Sequence, residues 1–180
     1  MKLLRHLLGY TVGFSIFAVL IPVSIYYFSS RVDALLGLVR FGNSLLRLIT
    51  AIPVLSFGVF FVLWSNLFLL IRGKGGPADG FGVALSPRTE QLVISGPYRY
   101  TRNPMVFGAL TSYVALALFL GYYSGVALLA VFIPVVILYL KWVEEPRLLT
   151  DFGDEYVKYR GSVSMLLPLP SKEEHCIHSA

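Results

Sequence analysis

Leu48-Ile49-Thr50-Ala51-Ile52-Pro53-Val54-Leu55-Ser56-Phe57-Gly58-Val59-Phe60-Phe61-Val62-Leu63-Trp64-Ser65-Asn66-Leu67-Phe68-Leu69-Leu70-Ile71 carries no charged side chain. A helix needs about 20 such residues to cross the hydrocarbon core of a bilayer, so this run predicts a membrane span. Three more uncharged apolar runs lie on either side of it, Leu7–Phe28, Met105–Leu120 and Gly125–Leu140. The last two are short, and interfacial tyrosines, Pro104 or Trp142 would complete their crossings. With 56 % hydrophobic and 14 % charged residues the chain is too apolar for a soluble domain of 180 residues. The predicted fold class is therefore all-α, a polytopic membrane protein of four transmembrane helices.

Lys2 and Arg5 precede the first apolar run, as in a signal peptide, but that run is long and no small-residue cleavage site follows it. It reads as a retained helix. The single cysteine, Cys176, allows no internal disulfide and no zinc spacing, and it stands fifth from the end where a prenylation box needs the fourth place. His175 and His178 lie in a polar tail without a third ligand, so no metal is expected. The net charge of +5 does not point to nucleic acid, because the basic residues flank apolar spans and are not interleaved with stacking aromatics. Topology explains them better. With both termini and the loop between the second and third spans in the cytoplasm, Arg31, Arg40 and Arg47 lie outside, and the other 12 of the 15 basic residues lie inside.

Asp33–Thr50 alternates Leu35, Leu36, Leu38 and Val39 with Arg40, Asn43 and Arg47, which predicts a short interfacial helix or re-entrant turn. Pro22 and Pro53 predict kinks within spans. Asn103 and Pro104 mark the start of the third span: an asparagine oxygen can accept from a free backbone N–H, and proline fits the first helical position. Gly121-Tyr122-Tyr123-Ser124-Gly125 allows only a tight helical hairpin between the third and fourth spans. Gly108 and Ser112 share one face at a spacing that lets helices approach closely. Beyond Trp142, Leu148, Leu149, Phe152, Tyr156 and Tyr159 follow a helical repeat among charges, predicting a C-terminal amphipathic segment interrupted at Gly153, with Asp154 as a cap beyond it.

Two constellations carry chemistry. Arg72–Asn103 is a long polar loop ending in Gly96-Pro97-Tyr98-Arg99-Tyr100-Thr101-Arg102-Asn103-Pro104, and loops of that length inside a compact chain are usually functional or disordered. It delivers Arg99 and Arg102 to a helix N-terminus, where free N–H groups and a partial positive charge suit a carboxylate or phosphate. The alternative is that Asn103 only caps and the arginines only hold lipid phosphates. Glu144-Glu145 closes the fourth span, and the hairpin returns it to the same membrane face. The pair could accept from ribose hydroxyls or an ammonium, or it could form salt bridges to Arg102 or Arg147. Gly73-Lys74-Gly75-Gly76-Pro77 lacks the trailing Lys-Ser/Thr of a P-loop and reads as a turn away from the membrane. His6 reads as interfacial, and no serine–histidine–acid arrangement supports a hydrolase.

At these constellations the sequence resembles the membrane-embedded methyltransferases related to isoprenylcysteine carboxyl methyltransferase and the phospholipid N-methyltransferases. The resemblance is carried by Leu92–Gly108, then by Glu144-Glu145-Pro146-Arg147-Leu148-Leu149, Phe152–Tyr159 and Leu167-Pro168. It implies S-adenosylmethionine as methyl donor, with a cofactor-binding set of Gly96, Tyr98, Arg99, Arg102, Asn103, Pro104, Gly108, Glu144 and Glu145. Arg102, Asn103 and Glu145 are the catalytic candidates, and Met105, Val106 and Phe107 would meet a lipid or lipidated substrate entering from the bilayer. The better-known family pattern has histidine at Asn103 and tyrosine at Val106; asparagine can still hydrogen-bond a cofactor, whereas valine cannot, which touches the acceptor more than the donor.

Methyl transfer from a sulfonium needs alignment and exclusion of water more than a covalent intermediate. A carboxylate acceptor is already ionised near neutral pH, whereas an ammonium must first lose a proton. With only the glutamates as candidate bases, isoprenylcysteine-type carboxyl O-methylation is the leading expectation. Phospholipid amine N-methylation is its rival, and an NADPH-dependent membrane lipid reductase or a silent lipid-binding protein stands in a different class. The expected organisation is N-terminal membrane helices over 1–71, a cytoplasmic loop, hairpin and catalytic region over 72–170, and a disordered tail over 171–180.

Overall fold

A computed structural model describes residues 9–73, 79–80, 83–84 and 91–171. Lys2, Arg5, His6, Lys74–Pro77, His175, Cys176, His178 and the tail after Ser171 lie outside the described residues. Helix α1 (Gly9–Leu35) and helix α2 (Ser44–Arg72) precede the loop, within which Asp79–Gly80 and Val83–Ala84 pair as a minimal antiparallel ladder. A 3-10 turn at Gly96–Arg99 leads to α3 (Pro104–Leu120), α4 (Tyr123–Tyr139), a π turn (Leu140–Glu144) and α5 (Glu145–Ser162). The chain is an all-α polytopic membrane protein, as the apolar runs predict. Among the described residues, three helical stretches are long and apolar enough to span a bilayer, and α3 is a shorter apolar helix.

Helix α3 is the central one. Pro104, Gly108, Leu110, Tyr113, Ala115 and Ala117 are buried along it, and α2 crosses it so closely that a Cβ added to Gly108 would lie 2.6 Å from the Gly58 carbonyl oxygen. Small residues let backbones meet within lipid, where no water remains to be squeezed out and dispersion supplies the attraction. Phe107 extends the same interface through edge contacts with Phe57 and Phe61. On the other side of α3, Leu110, Tyr113 and Ala117 join Ile25 of α1 and Leu129 of α4 in one cluster, bordered by Val106 and Leu166.

Pro22 has a more specific effect than a kink. The helix widens to a π segment over Ser15–Leu20, in which the Ile21 N–H bonds to the Ile16 carbonyl. The Phe17 carbonyl thereby loses its α-helical donor, and its π-helical donor would be Pro22, which has no N–H. Tyr113 repairs the deficit: its hydroxyl donates to the Phe17 carbonyl at 2.9 Å. The second π turn, Leu140–Glu144, likewise stops just before a proline, Pro146.

The segment Asp33–Thr50 departs from expectation. It forms neither an interfacial helix nor a re-entrant turn: α1 continues to Leu35, α2 begins at Ser44, and a short connector joins them. The reason is Asp33, which is 1 % exposed and accepts from the Tyr123 and Ser124 N–H groups at 2.9 and 3.0 Å. An acidic side chain at a helix N-terminus satisfies two orphan donors and favours the helix dipole, so this carboxylate fastens α1 to the start of α4. The α3–α4 hairpin is as tight as predicted, with Gly121 and Tyr122 alone between the helices.

Candidate functional site

The loop reaches α3 through a step over an aromatic ring. Gly96 has φ +63°, and a Cβ there would lie 2.4 Å from the Phe68 ring, so only glycine lets the chain pass this point. Pro97 is buried, Tyr98 is partly buried, and Arg99 is exposed at the end of the 3-10 turn. Thr101 and Pro104 are fully buried on either side of Arg102 and Asn103.

Asn103 occupies the N-cap position of α3, and its carbonyl accepts from the Phe107 N–H. Its side chain does not make the predicted capping bond; the amide nitrogen donates to the Met165 carbonyl at 2.9 Å. A competing acceptor wins because the chain after α5 runs along the loop. The Arg102 N–H donates to the Ser164 carbonyl, the Thr101 hydroxyl to the Met165 carbonyl, and the Leu169 N–H to the Tyr100 carbonyl. Ser164–Leu169 is thus a strap across Tyr100–Asn103, with Leu166 packed against the helix cluster around Leu110 and Tyr113.

Arg102 and Glu145 meet here. Arg102 Nη1 lies 2.7 Å from Glu145 Oε1, and the two side chains are only 9 % and 7 % exposed. The contact is an ion pair without hydrogen-bond alignment: Arg102 Nε and Glu145 Oε1 are buried and have no hydrogen-bond partner among the described residues. The other oxygen, Glu145 Oε2, lies 3.6 Å from Arg160 Nη1. Tyr156, fully buried, accepts a long hydrogen bond from Arg102 Nη1 at 3.4 Å. Glu144 pairs separately with Arg147 at 2.5 Å. Both salt bridges weighed from the sequence, to Arg102 and to Arg147, are therefore present, one on each glutamate.

The geometry depends on a break in α5. Gly153, with φ 53° and ψ −130°, takes a conformation foreign to helices. Along a straight helix residues 145 and 160 would stand about 22 Å apart at 1.5 Å per residue. Instead the second half folds back, and Tyr156, Tyr159 and Val163 pack on Leu148 and Phe152 of the first half and on Leu92 of the loop. Tyr159 donates from its hydroxyl to the Tyr98 carbonyl at 2.6 Å. Burial pushes the phenols of Tyr98, Tyr156 and Tyr159 above their ordinary range; for Tyr156, Arg102 pulls in the opposite direction.

Of the residues singled out in the sequence, Arg102, Asn103, Pro104 and Glu145 thus gather at the base of α3, and Glu144 neighbours them. Gly96 is the step over Phe68, and Gly108 faces α2 at the helix crossing. Phe107 is held between Phe57 and Phe61, while Met105 and Val106 are partly buried. Arg160, Tyr156 as a neighbour of Arg102, and the strap were not singled out; the signal for the first two was the glycine at 153 with charges on both sides of it. No group of His, Cys, Asp and Glu suited to a metal ion occurs among the described residues.

A model of the phospholipid methyltransferase family matches residues 46–155, from the start of α2 into the second half of α5. Neither a curated protein nor a solved structure matches the chain.

Proposed function

The chain belongs to the phospholipid methyltransferase family, and on that premise we propose that it methylates a lipid-borne acceptor at the membrane surface, with S-adenosylmethionine as donor. The observation that carries this reading is the Arg102–Glu145 pair: two opposite charges, nearly buried, 2.7 Å apart, each with an unpartnered polar atom. An amino-acid zwitterion carries the same two charges in reverse, and its insertion would give both groups the partners they lack. Such a pocket fits the amino-acid end of S-adenosylmethionine.

In this reading Arg102, Asn103 and the first N–H groups of α3 hold the donor carboxylate, and Glu145 accepts from its ammonium. Glu144 is left for the ribose hydroxyls, while Gly96, Tyr98, Arg99 and Pro104 shape the loop around the adenosyl group. When bound, the cofactor supplies a methyl group on an electrophilic sulfonium. The protein's own task is to align the acceptor and exclude water, which the strap over Tyr100–Asn103 and the platform of Tyr156 and Tyr159 accomplish. Arg102, Asn103 and Glu145 act by positioning and by charge. The region 72–170 carries this chemistry, 1–71 is its membrane scaffold, and the site and both termini face the cytoplasm.

For the acceptor, carboxyl O-methylation of an isoprenylcysteine type is favoured by the glutamates. Glu145 is engaged by two arginines and Glu144 by Arg147, so neither stands as an uncommitted base, and a carboxylate acceptor needs none. The family match favours the second reading, N-methylation of a phospholipid amine. Incubating detergent-purified protein with methyl-labelled donor and total membrane lipid separates the two: a methyl ester releases labelled methanol in alkali, and an N-methyl group does not. Failure to label any lipid, together with no binding of S-adenosylhomocysteine, would reject both.

A further inference from the structure

Arg160 holds no part of the donor in the reading above, and it lies beyond the 46–155 family match. Its side chain is 54 % exposed, yet it reaches across the Gly153 break to Glu145 Oε2 at 3.6 Å, while Arg102 holds Oε1 at 2.7 Å. Glu145 therefore has two cations, one on each oxygen. Resting on the donor site proposed above, we propose that Arg160 is a positioning residue that retains Glu145 when a zwitterion separates it from Arg102.

The reasoning follows the charges. For Arg102 to turn to an incoming carboxylate, it must leave Glu145, and a buried carboxylate without a countercharge is costly. Arg160 already touches the far oxygen, so Glu145 keeps a cation while Oε1 is released to face an ammonium. Without Arg160, Arg102 is the sole cation on Glu145 among the described residues, and the pair collapses into a contact that resists insertion. Exposure suits the role: a half-exposed arginine side chain on the folded-back half of α5 can follow a small movement of Glu145 without full desolvation. Its reach depends on Gly153, which is why a residue near the end of α5 can act on the first residue of that helix.

Binding by the purified full-length protein tests the assignment, with calorimetry on two ligands: S-adenosylhomocysteine, which carries the amino-acid end, and 5′-methylthioadenosine, which lacks it. Arg160→Gln should weaken S-adenosylhomocysteine about fivefold, the upper range for a half-exposed ion pair, and leave 5′-methylthioadenosine unchanged. Arg160→Lys should restore most of the loss. An equal loss on both ligands, no loss on S-adenosylhomocysteine, or no rescue by lysine would overturn the role of Arg160 while leaving the donor site standing. If the unmodified protein binds 5′-methylthioadenosine and S-adenosylhomocysteine equally well, or neither, the donor reading itself fails and the proposal falls with it.

Discussion

Gly58 and Gly108 meet backbone to backbone: a Cβ on Gly58 would lie 2.7 Å from the Gly108 carbonyl, and one on Gly108 would lie 2.8 Å from the Val62 nitrogen. Backbone cannot yield as a side-chain tip can, so any side chain at either glycine must push α2 from α3. Gly108→Val should destabilise the protein by about 1–3 kcal/mol or more, the range for overpacking. Gly13→Val, where nothing lies within 4 Å, is the control. Thermal melting in detergent should separate the two variants; equal midpoints would mean that the helices do not touch there.

Asp33→Ala removes both acceptors for the first donors of α4, Tyr123 N–H and Ser124 N–H. Loss of a helix cap costs about 0.5–2 kcal/mol. The same change should loosen α1 from α4, so a cysteine pair across Ser29 and Gly125 should crosslink less completely. Undiminished stability and crosslinking would deny the fastening role of Asp33.

Replacing Gly153 tests the fold-back. Nothing lies within 4 Å of a Cβ at this glycine, so Gly153→Ala is opposed by its positive-φ, glycine-favouring backbone conformation alone, at roughly 1–3 kcal/mol. Straightening α5 would instead carry Tyr156 and Arg160 away from Glu145. Donor binding should weaken in Gly153→Ala more than in Gly161→Ala, a position equally open but without positive φ. Equal effects would make the break irrelevant to the site.

The buried phenols give a pH dependence. Tyr98, Tyr156 and Tyr159 have folded-state values raised by burial, so the neutral forms are favoured in the folded protein. The stability they contribute is intact below the unfolded value of about 10 and declines as pH rises above it. The strap and the second half of α5 should become protease-sensitive above about pH 10 and stay protected at pH 8. Tyr159→Phe, which forfeits the bond to the Tyr98 carbonyl, should reduce that contrast. Protection that persists unaltered through alkaline pH would contradict the linkage.

The orientation can be read by cysteine labelling in a Cys176→Ser background. Val39 is 82 % exposed in the connector between α1 and α2, and Val157 is 52 % exposed on α5. A cysteine at Val39 should react with an impermeant reagent in intact cells, and one at Val157 only after permeabilisation. The reverse pattern would place the site outside.

The spans were legible in the sequence because an uncharged run of about 20 residues has few other uses. The hairpin was legible too, since the residues between Leu120 and Gly125 leave no room for another connection. Arg102 and Glu145 could be brought together from that hairpin alone. What stayed hidden were partners fixed by distance in sequence: Asp33 reaching Tyr123, Tyr113 repairing Phe17, Met165 drawing away the amide of Asn103. Asn103 illustrates the limit. Its local signal was correct for position, yet the bond it makes was decided by a chain segment about 60 residues downstream, which no capping rule can weigh.

The strap has a bearing on the order of biosynthesis. Ser164–Leu169 leaves the ribosome after all the membrane helices, yet it supplies the carbonyls that hold Arg102 and Asn103. A nascent chain with its helices already inserted would therefore lack these acceptors until Ser164–Leu169 has followed them. A truncation ahead of Ser164 should therefore leave the membrane helices in place while removing the acceptors of Thr101, Arg102 and Asn103.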